Sequence, residues 1–208
     1  MLVFDLYLHL GELARARALI EQALAREHLD QVHQQWVKIA IRRVWLLLAE
    51  GDLEGAQAQI AEIDARGEIG VEEDRVRFEH VRAEVQFARG DAAAALATLA
   101  PFEGAPTIEC WALMLALRLR AQEPASPGLE ADVARARTQL QDPRLPALES
   151  LLLRRALVEA LVRRHLPAET ERDAALSLRQ RLADSLGEDP ARRDQFFAHF
   201  ALPNRRRG

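Results

Sequence analysis

Apolar residues recur at three- and four-residue spacing along almost the whole chain, and that period predicts helices. The stretches 2–10 and 13–26 both carry it, the second with Ala16, Leu19, Ile20, Ala23 and Leu24 on one face. The same spacing predicts helices over 32–50, 53–66, 72–89, 92–100, 107–120, 129–140, 148–165, 169–186 and 191–200. Between them lie breakers: Gly11, Gly51, the run 67–70, Gly90, Pro101, a loop at 122–128 with Pro124 and Pro127, then Pro143, Pro146, Pro167 and Gly187. Asp189 and Pro190 read as the cap and first position of the last helix. The pattern predicts an all-α chain of about eleven helices. They form five antiparallel pairs plus a terminal helix, stacked as a right-handed α-solenoid. Residues 1–103 hold three regular pairs, 104–200 a divergent continuation with a C-terminal cap, and 201–208 a flexible tail.

Three of the breaks are copies of one pattern. Gly11-Glu12, Gly51-Asp52 and Gly90-Asp91 each close an apolar helical stretch, and Ala16, Ala56 and Ala95 follow five residues after the glycines. A glycine in the left-handed region ends a helix at little cost. The acid beside it opens the next helix, where negative charge suits the dipole. A small side chain at the fixed Ala lets the second helix press close to the first. The spacing of about 40 residues is that of helical-repeat arrays. After Pro101 the pattern stops.

These residues resemble tetratricopeptide repeats. In that family a Gly closes the first helix, an acid often follows, a small residue comes five places after the Gly and another seven beyond. Gly11, Glu12, Ala16 and Ala23 match all four; Gly51, Asp52 and Ala56 match three, with Ile63 last; Gly90, Asp91 and Ala95 match three, with Phe102 last. The aromatic four places before the Gly is Tyr7, then becomes Leu47 and Gln86, and Ala40 stands where a Trp often opens a repeat. The longer helices resemble the divergent repeats in the sensor regions of maltose-regulator-like and other LuxR-type ATPase activators. The segment from Leu182 to Phe196 is similar to the closing segment of such arrays.

Composition fits this reading. Hydrophobic residues make up 49%, charged residues 29% and aromatics 5%, with Ala, Leu, Arg and Glu dominant, a helix-forming balance. The net charge of −4 supplies no field for nucleic acid. The basic spots Arg163-Arg164, Arg192-Arg193 and Arg205-Arg206-Arg207 lie among acids with few stacking aromatics, so direct nucleic-acid contact is disfavoured. Cys110 is the single cysteine and sits among Ile108, Trp111 and Met114, as a buried thiol does. No apolar run reaches the length of a membrane span and no signal peptide opens the chain, which places the protein in the cytoplasm. Met1 to Leu10 begins inside a helix without a cap, so the chain is expected to be the C-terminal portion of a longer protein.

Catalytic signatures are missing. No phosphate loop, His-Glu-x-x-His or Gly-x-Ser-x-Gly occurs, and Lys38, the only lysine, is inside a helix. His28 and His33, with Glu27 and Asp30, flank a turn and read as solvated polar residues. No catalytic residue, metal site or cofactor is expected.

The resemblance implies a binding face instead. In the family the first helix of each pair lines the concave surface. That places Asp5, Leu8 and His9; Lys38, Ile41, Arg42, Trp45 and Leu48; and Arg77, His80, Glu84 and Phe87 there. Leu8, Leu48 and Phe87 read equally well as core. Lys38, Arg42, Trp45, Arg77, His80 and Glu84 are the candidate partner-binding residues. A clamp for a C-terminal carboxylate is disfavoured, since no inward Asn is present. The sequence therefore reads as a non-enzymatic protein-interaction scaffold, the regulatory or sensor part of a bacterial signalling or transcription protein. One alternative is self-association through Phe196, Phe197 and Phe200, and another is small-molecule sensing in the superhelix.

Overall fold

The structure is a computed structural model that describes residues 2–25, 33–187 and 189–202. His28, Glu27, Asp30 and the tail from 203 to 208 lie outside the described residues. The fold is all-helical, with no strand among the described residues. Two compact units divide the chain, Met1–Phe102 and Glu103–Gly208.

The first unit contains α1 (Leu2–His9), α2 (Leu13–Leu24), α3 (His33–Glu50), α4 (Leu53–Ala65), α5 (Glu72–Ala88) and α6 (Ala92–Leu99), closed by a 3₁₀ turn at Ala100–Phe102. One backbone device joins each of the pairs α1–α2, α3–α4 and α5–α6. Gly11, Gly51 and Gly90 have φ of +73°, +78° and +89°. Their amides donate to Leu8, Leu48 and Phe87, and the amides of the following acids to Tyr7, Leu47 and Gln86. That pair of bonds satisfies the orphan carbonyls at a helix end. Asp52 and Asp91 then accept from the amides of Gly55 and Ala94, each at 2.9 Å, caps worth about 1 kcal/mol each. Glu12, one methylene longer, bonds Arg15 at 2.6 Å instead and caps nothing. Ala16, Ala56 and Ala95 are fully buried.

A Cβ built on Gly51 meets nothing within 4 Å. Gly51→Ala is therefore expected to cost about 1 kcal/mol, all of it from the left-handed backbone, and equilibrium urea unfolding measures it. A cost above about 3 kcal/mol, the range of lost core packing, would contradict the turn as described.

Packing in this unit follows a regular scheme: α1 lies on α2, α2 on α3, α3 on α4 and α5, α4 on α5, and α5 on α6. One apolar cluster gathers Phe4, Leu8, Ala16, Ile20 and Leu46. Another gathers Trp36, Ile41, Val44, Ile60, Ile63, Phe78, Val81 and Val85. Arg66 lies over the Trp36 ring at 3.8 Å.

The second unit contains α7 (Ile108–Ala121), α8 (Pro127–Gln139), α9 (Ala147–Arg163), α10 (Glu169–Asp184) and α11 (Pro190–His199). Here α7 packs on α8 and α9, α8 on α9, α9 on α10, and α10 on α11. Its core is built from Leu115, Leu119, Leu129, Leu153, Leu157 and Leu161. Helix α8 starts two residues before the expected position, because Pro127 occupies its first turn, where a missing N–H and a fixed φ are tolerated. Arg163, from the end of α9, donates to the carbonyls of Leu119, Arg120 and Gln122, so one guanidinium caps the C-terminus of α7.

The glycine turn of the first unit returns after α9 with another residue in it. His165 has φ +58°. Its amide donates to Val162 at 3.1 Å and that of Leu166 to Leu161 at 2.9 Å, the same two bonds as at Gly11. The sequence pattern stops at Pro101; the backbone device does not.

Candidate functional site

Arg42, Lys38 and Trp45 stand on α3 at helical spacing, and His80 and Glu84 stand on α5. Because α3 packs on α5, the two rows meet. The Trp45 and His80 rings tilt against each other at 47° with centroids 5.3 Å apart. His80 is only 5% exposed, and its Nε2 lies 3.8 Å from Glu84 Oε1. Lys38 Nζ reaches Asp74 at 3.6 Å. From α1, Asp5 pairs with Arg42 at 3.4 Å, while Arg42 Nη1 also donates to the Lys38 carbonyl at 3.0 Å.

Lys38, Arg42, Trp45 and His80 thus make contacts between α1, α3 and α5. Glu84 and Arg77 meet neighbours along α5: Glu84 lies by His80, and the Arg77 guanidinium bonds Glu73 at 2.8 and 3.1 Å. Trp45, half-buried, packs on both apolar clusters of the unit. Leu8 and Ile41 are buried and belong to those clusters.

The charges on this face largely answer one another. Asp5 with Arg42 links α1 to α3 and Asp74 with Lys38 links α3 to α5, each pair joining a largely buried group to a more exposed one. At the centre of this face stands the half-buried Trp45 ring with these polar groups around it. Asp74 stands in the first turn of α5, where an acid suits the helix dipole, and it is also buried and faces Lys38 on α3. A signal was present: Asp74, Phe78, Val81 and Val85 share one helical stripe, so a carboxylate sat among core positions.

The second unit has a more deeply buried polar cluster that sequence reasoning missed. Asp132, 0% exposed, accepts from Arg118 Nε at 2.9 Å, from Arg135 Nη1 at 3.0 Å and from Gln122 Nε2. Glu103 adds a second carboxylate, 3.6 Å from Arg118 and 3.2 Å from Arg135. Here too the polar residue sits on an apolar stripe, with Leu129, Val133 and Ala136.

Burial also corrects the reading of the terminal aromatics. Phe196 and Phe200 are not exposed: they are 4% and 0% accessible, with ring centroids 4.8 Å apart. Phe197 is half-buried under Arg179. The helix that carries them packs on α10. Their core is within the chain.

Among the described residues no cluster of three or more His, Cys, Asp or Glu side chains could hold a metal ion, and no helix is long and apolar enough to cross a membrane. Comparison with known protein families, with curated proteins and with solved structures gives no match.

Proposed function

We propose that this chain is a non-enzymatic interaction scaffold of tetratricopeptide-like helix pairs, a section of a right-handed α-solenoid, and that the face of α1, α3 and α5 holds a protein or peptide partner. The observation that carries this reading is the threefold turn. Gly11, Gly51 and Gly90 close three helices with the same dihedral region and the same two hydrogen bonds. Three identical reversals at even spacing support antiparallel pairing. Contacts between the first helices α3 and α5, each of which also packs on its own second helix, support stacking of the pairs.

In such a stack the first helices share one surface, and Lys38, Arg42, Trp45, Arg77, His80 and Glu84 lie on those helices. Trp45 is the anchor, and Arg77, paired with Glu73 along α5, is the partly exposed cation beside it. By its resemblance the scaffold is the regulatory part of a bacterial signalling or transcription protein acting in the cytoplasm. Self-association through Phe196 and Phe200 would first require α11 to leave α10, which makes it the weaker reading.

The test is Trp45→Ala combined with Arg77→Ala. A partner retained by the immobilised native chain is expected to be lost by the double variant, with helicity checked by circular dichroism. Arg77→Ala alone removes a side chain that is 38% exposed and paired with Glu73, so with helicity retained it isolates the surface contribution. Equal retention by native chain and folded variants would rule the face out.

A further inference from the structure

His80 is a buried titratable group, 5% exposed, and two neighbours of different character meet it. The first is the Trp45 ring from α3, with its centroid 5.3 Å away and its plane tilted by 47°. The second is Glu84, one helical turn further along α5, whose Oε1 lies 3.8 Å from His80 Nε2. The Glu84 side chain is 14% exposed, so little water screens the carboxylate from the ring.

Histidine is the side chain whose charge ordinarily changes between about pH 5 and about pH 8, and both neighbours respond to that charge. An imidazolium draws a nearby carboxylate into a charge-assisted hydrogen bond of about 2.8 Å. It is also attracted to the face of an indole within about 6 Å. A neutral imidazole gains neither. Burial opposes the charged form, and Glu84 offsets that opposition. The cations that share this face on α3 bring their own counter-charges: Lys38 pairs with Asp74 at 3.6 Å and Arg42 with Asp5 at 3.4 Å. The acids of α4, Glu54, Glu62 and Asp64, pair with Arg89, Arg66 and Arg82. On α5 itself Glu73 holds Arg77, and α6 carries no titratable side chain.

We propose that His80 is a pH-responsive latch on the Trp45 face. In its protonated form it takes Glu84 as an ion-pair partner and holds the Trp45 ring against α5; in its neutral form it releases both. Acid thus holds the anchor in, and neutral pH frees it. The regulatory role rests on the reading of this face as a binding surface, whereas the latch is a property of the free chain and is tested without a partner.

The test titrates the ¹⁵N-labelled full chain from about pH 8 to about pH 5, the range in which histidine changes charge. The Trp45 indole and His80 imidazole resonances should move with one midpoint. Acrylamide quenching is read in a Trp111→Phe background, which leaves Trp45 as the accessible tryptophan because Trp36 is 4% exposed. Quenching of Trp45 should fall about twofold on acidification, the lower end for a cation–π contact. His80→Gln should abolish that change. Glu84→Gln should move the midpoint to lower pH, because the imidazolium loses its carboxylate. This second variant keeps the size of the side chain and carries the test if His80→Gln does not fold. Quenching that stays flat across the range, or a midpoint that Glu84→Gln leaves in place, overturns the latch. Partner affinity of the face is a separate measurement, so either claim can fail alone.

Discussion

Replacing Asp132 with alanine is expected to lower the stability of the second unit by about 3 kcal/mol, the lower end of the range for breaking a buried ion pair. The reason is what stays behind. Arg118, with a side chain only 14% exposed, keeps its charge and loses its closest carboxylate; Gln122, 4% exposed, loses an acceptor. Arg135 loses less, since its side chain is 42% exposed and Glu103 still lies 3.2 Å away. Asp132→Asn keeps one acceptor oxygen and is expected to cost about half as much. Pairing Asp132→Ala with Arg118→Ala removes the stranded charge, so the double variant should lose less than the two single losses added. Urea unfolding followed by circular dichroism reads all four variants. A cost below about 1 kcal/mol for Asp132→Ala, typical of surface changes, would show that the cluster is not the buried network described.

Phe200→Ala carries the next largest effect, about 3 kcal/mol for emptying a fully buried aromatic site. The loss should stay local. Helix α11 packs on α10, and its last carbonyls are held by Arg155 at 3.0 Å and Arg179 at 3.2 Å. Once Phe200 no longer fills its place, the docking free energy of one short helix is exceeded and α11 detaches, while the rest of the unit holds. Amide hydrogen exchange should then show fast exchange over 190–199 with protection retained in α7 and α9. Sedimentation of the same variant across concentration reads whether the released phenylalanines seek a second copy. Unchanged protection in α11 would contradict the burial of Phe200.

The helices were legible because their apolar residues recur on one stripe, and the turns at Gly11, Gly51 and Gly90 because only glycine takes a left-handed backbone without penalty. The turn at His165 was not legible for the same reason inverted: the backbone there is left-handed, but the residue type does not announce it. Asp74 and Asp132 left a trace, a carboxylate on an apolar stripe, but their partners Lys38 and Arg118 stand on other helices, and periodicity does not reveal which helices touch. The terminal phenylalanines show the converse limit. A cluster of apolar residues states that something must cover it, and the sequence does not say whether the cover is α10 or another molecule. On the candidate face, the residue types were readable and their pairing was not. Arg77 bonds Glu73, and Glu84 lies by His80, each along α5.

The central claim is that the face of α1, α3 and α5 holds a partner through Trp45. The most direct measurement is the affinity of a partner captured on the full chain, titrated against the native protein and against the folded Trp45→Ala, Arg77→Ala variant. Loss of an aromatic hot spot predicts binding weaker by about thirtyfold or more. An affinity equal to that of the native chain would contradict the claim.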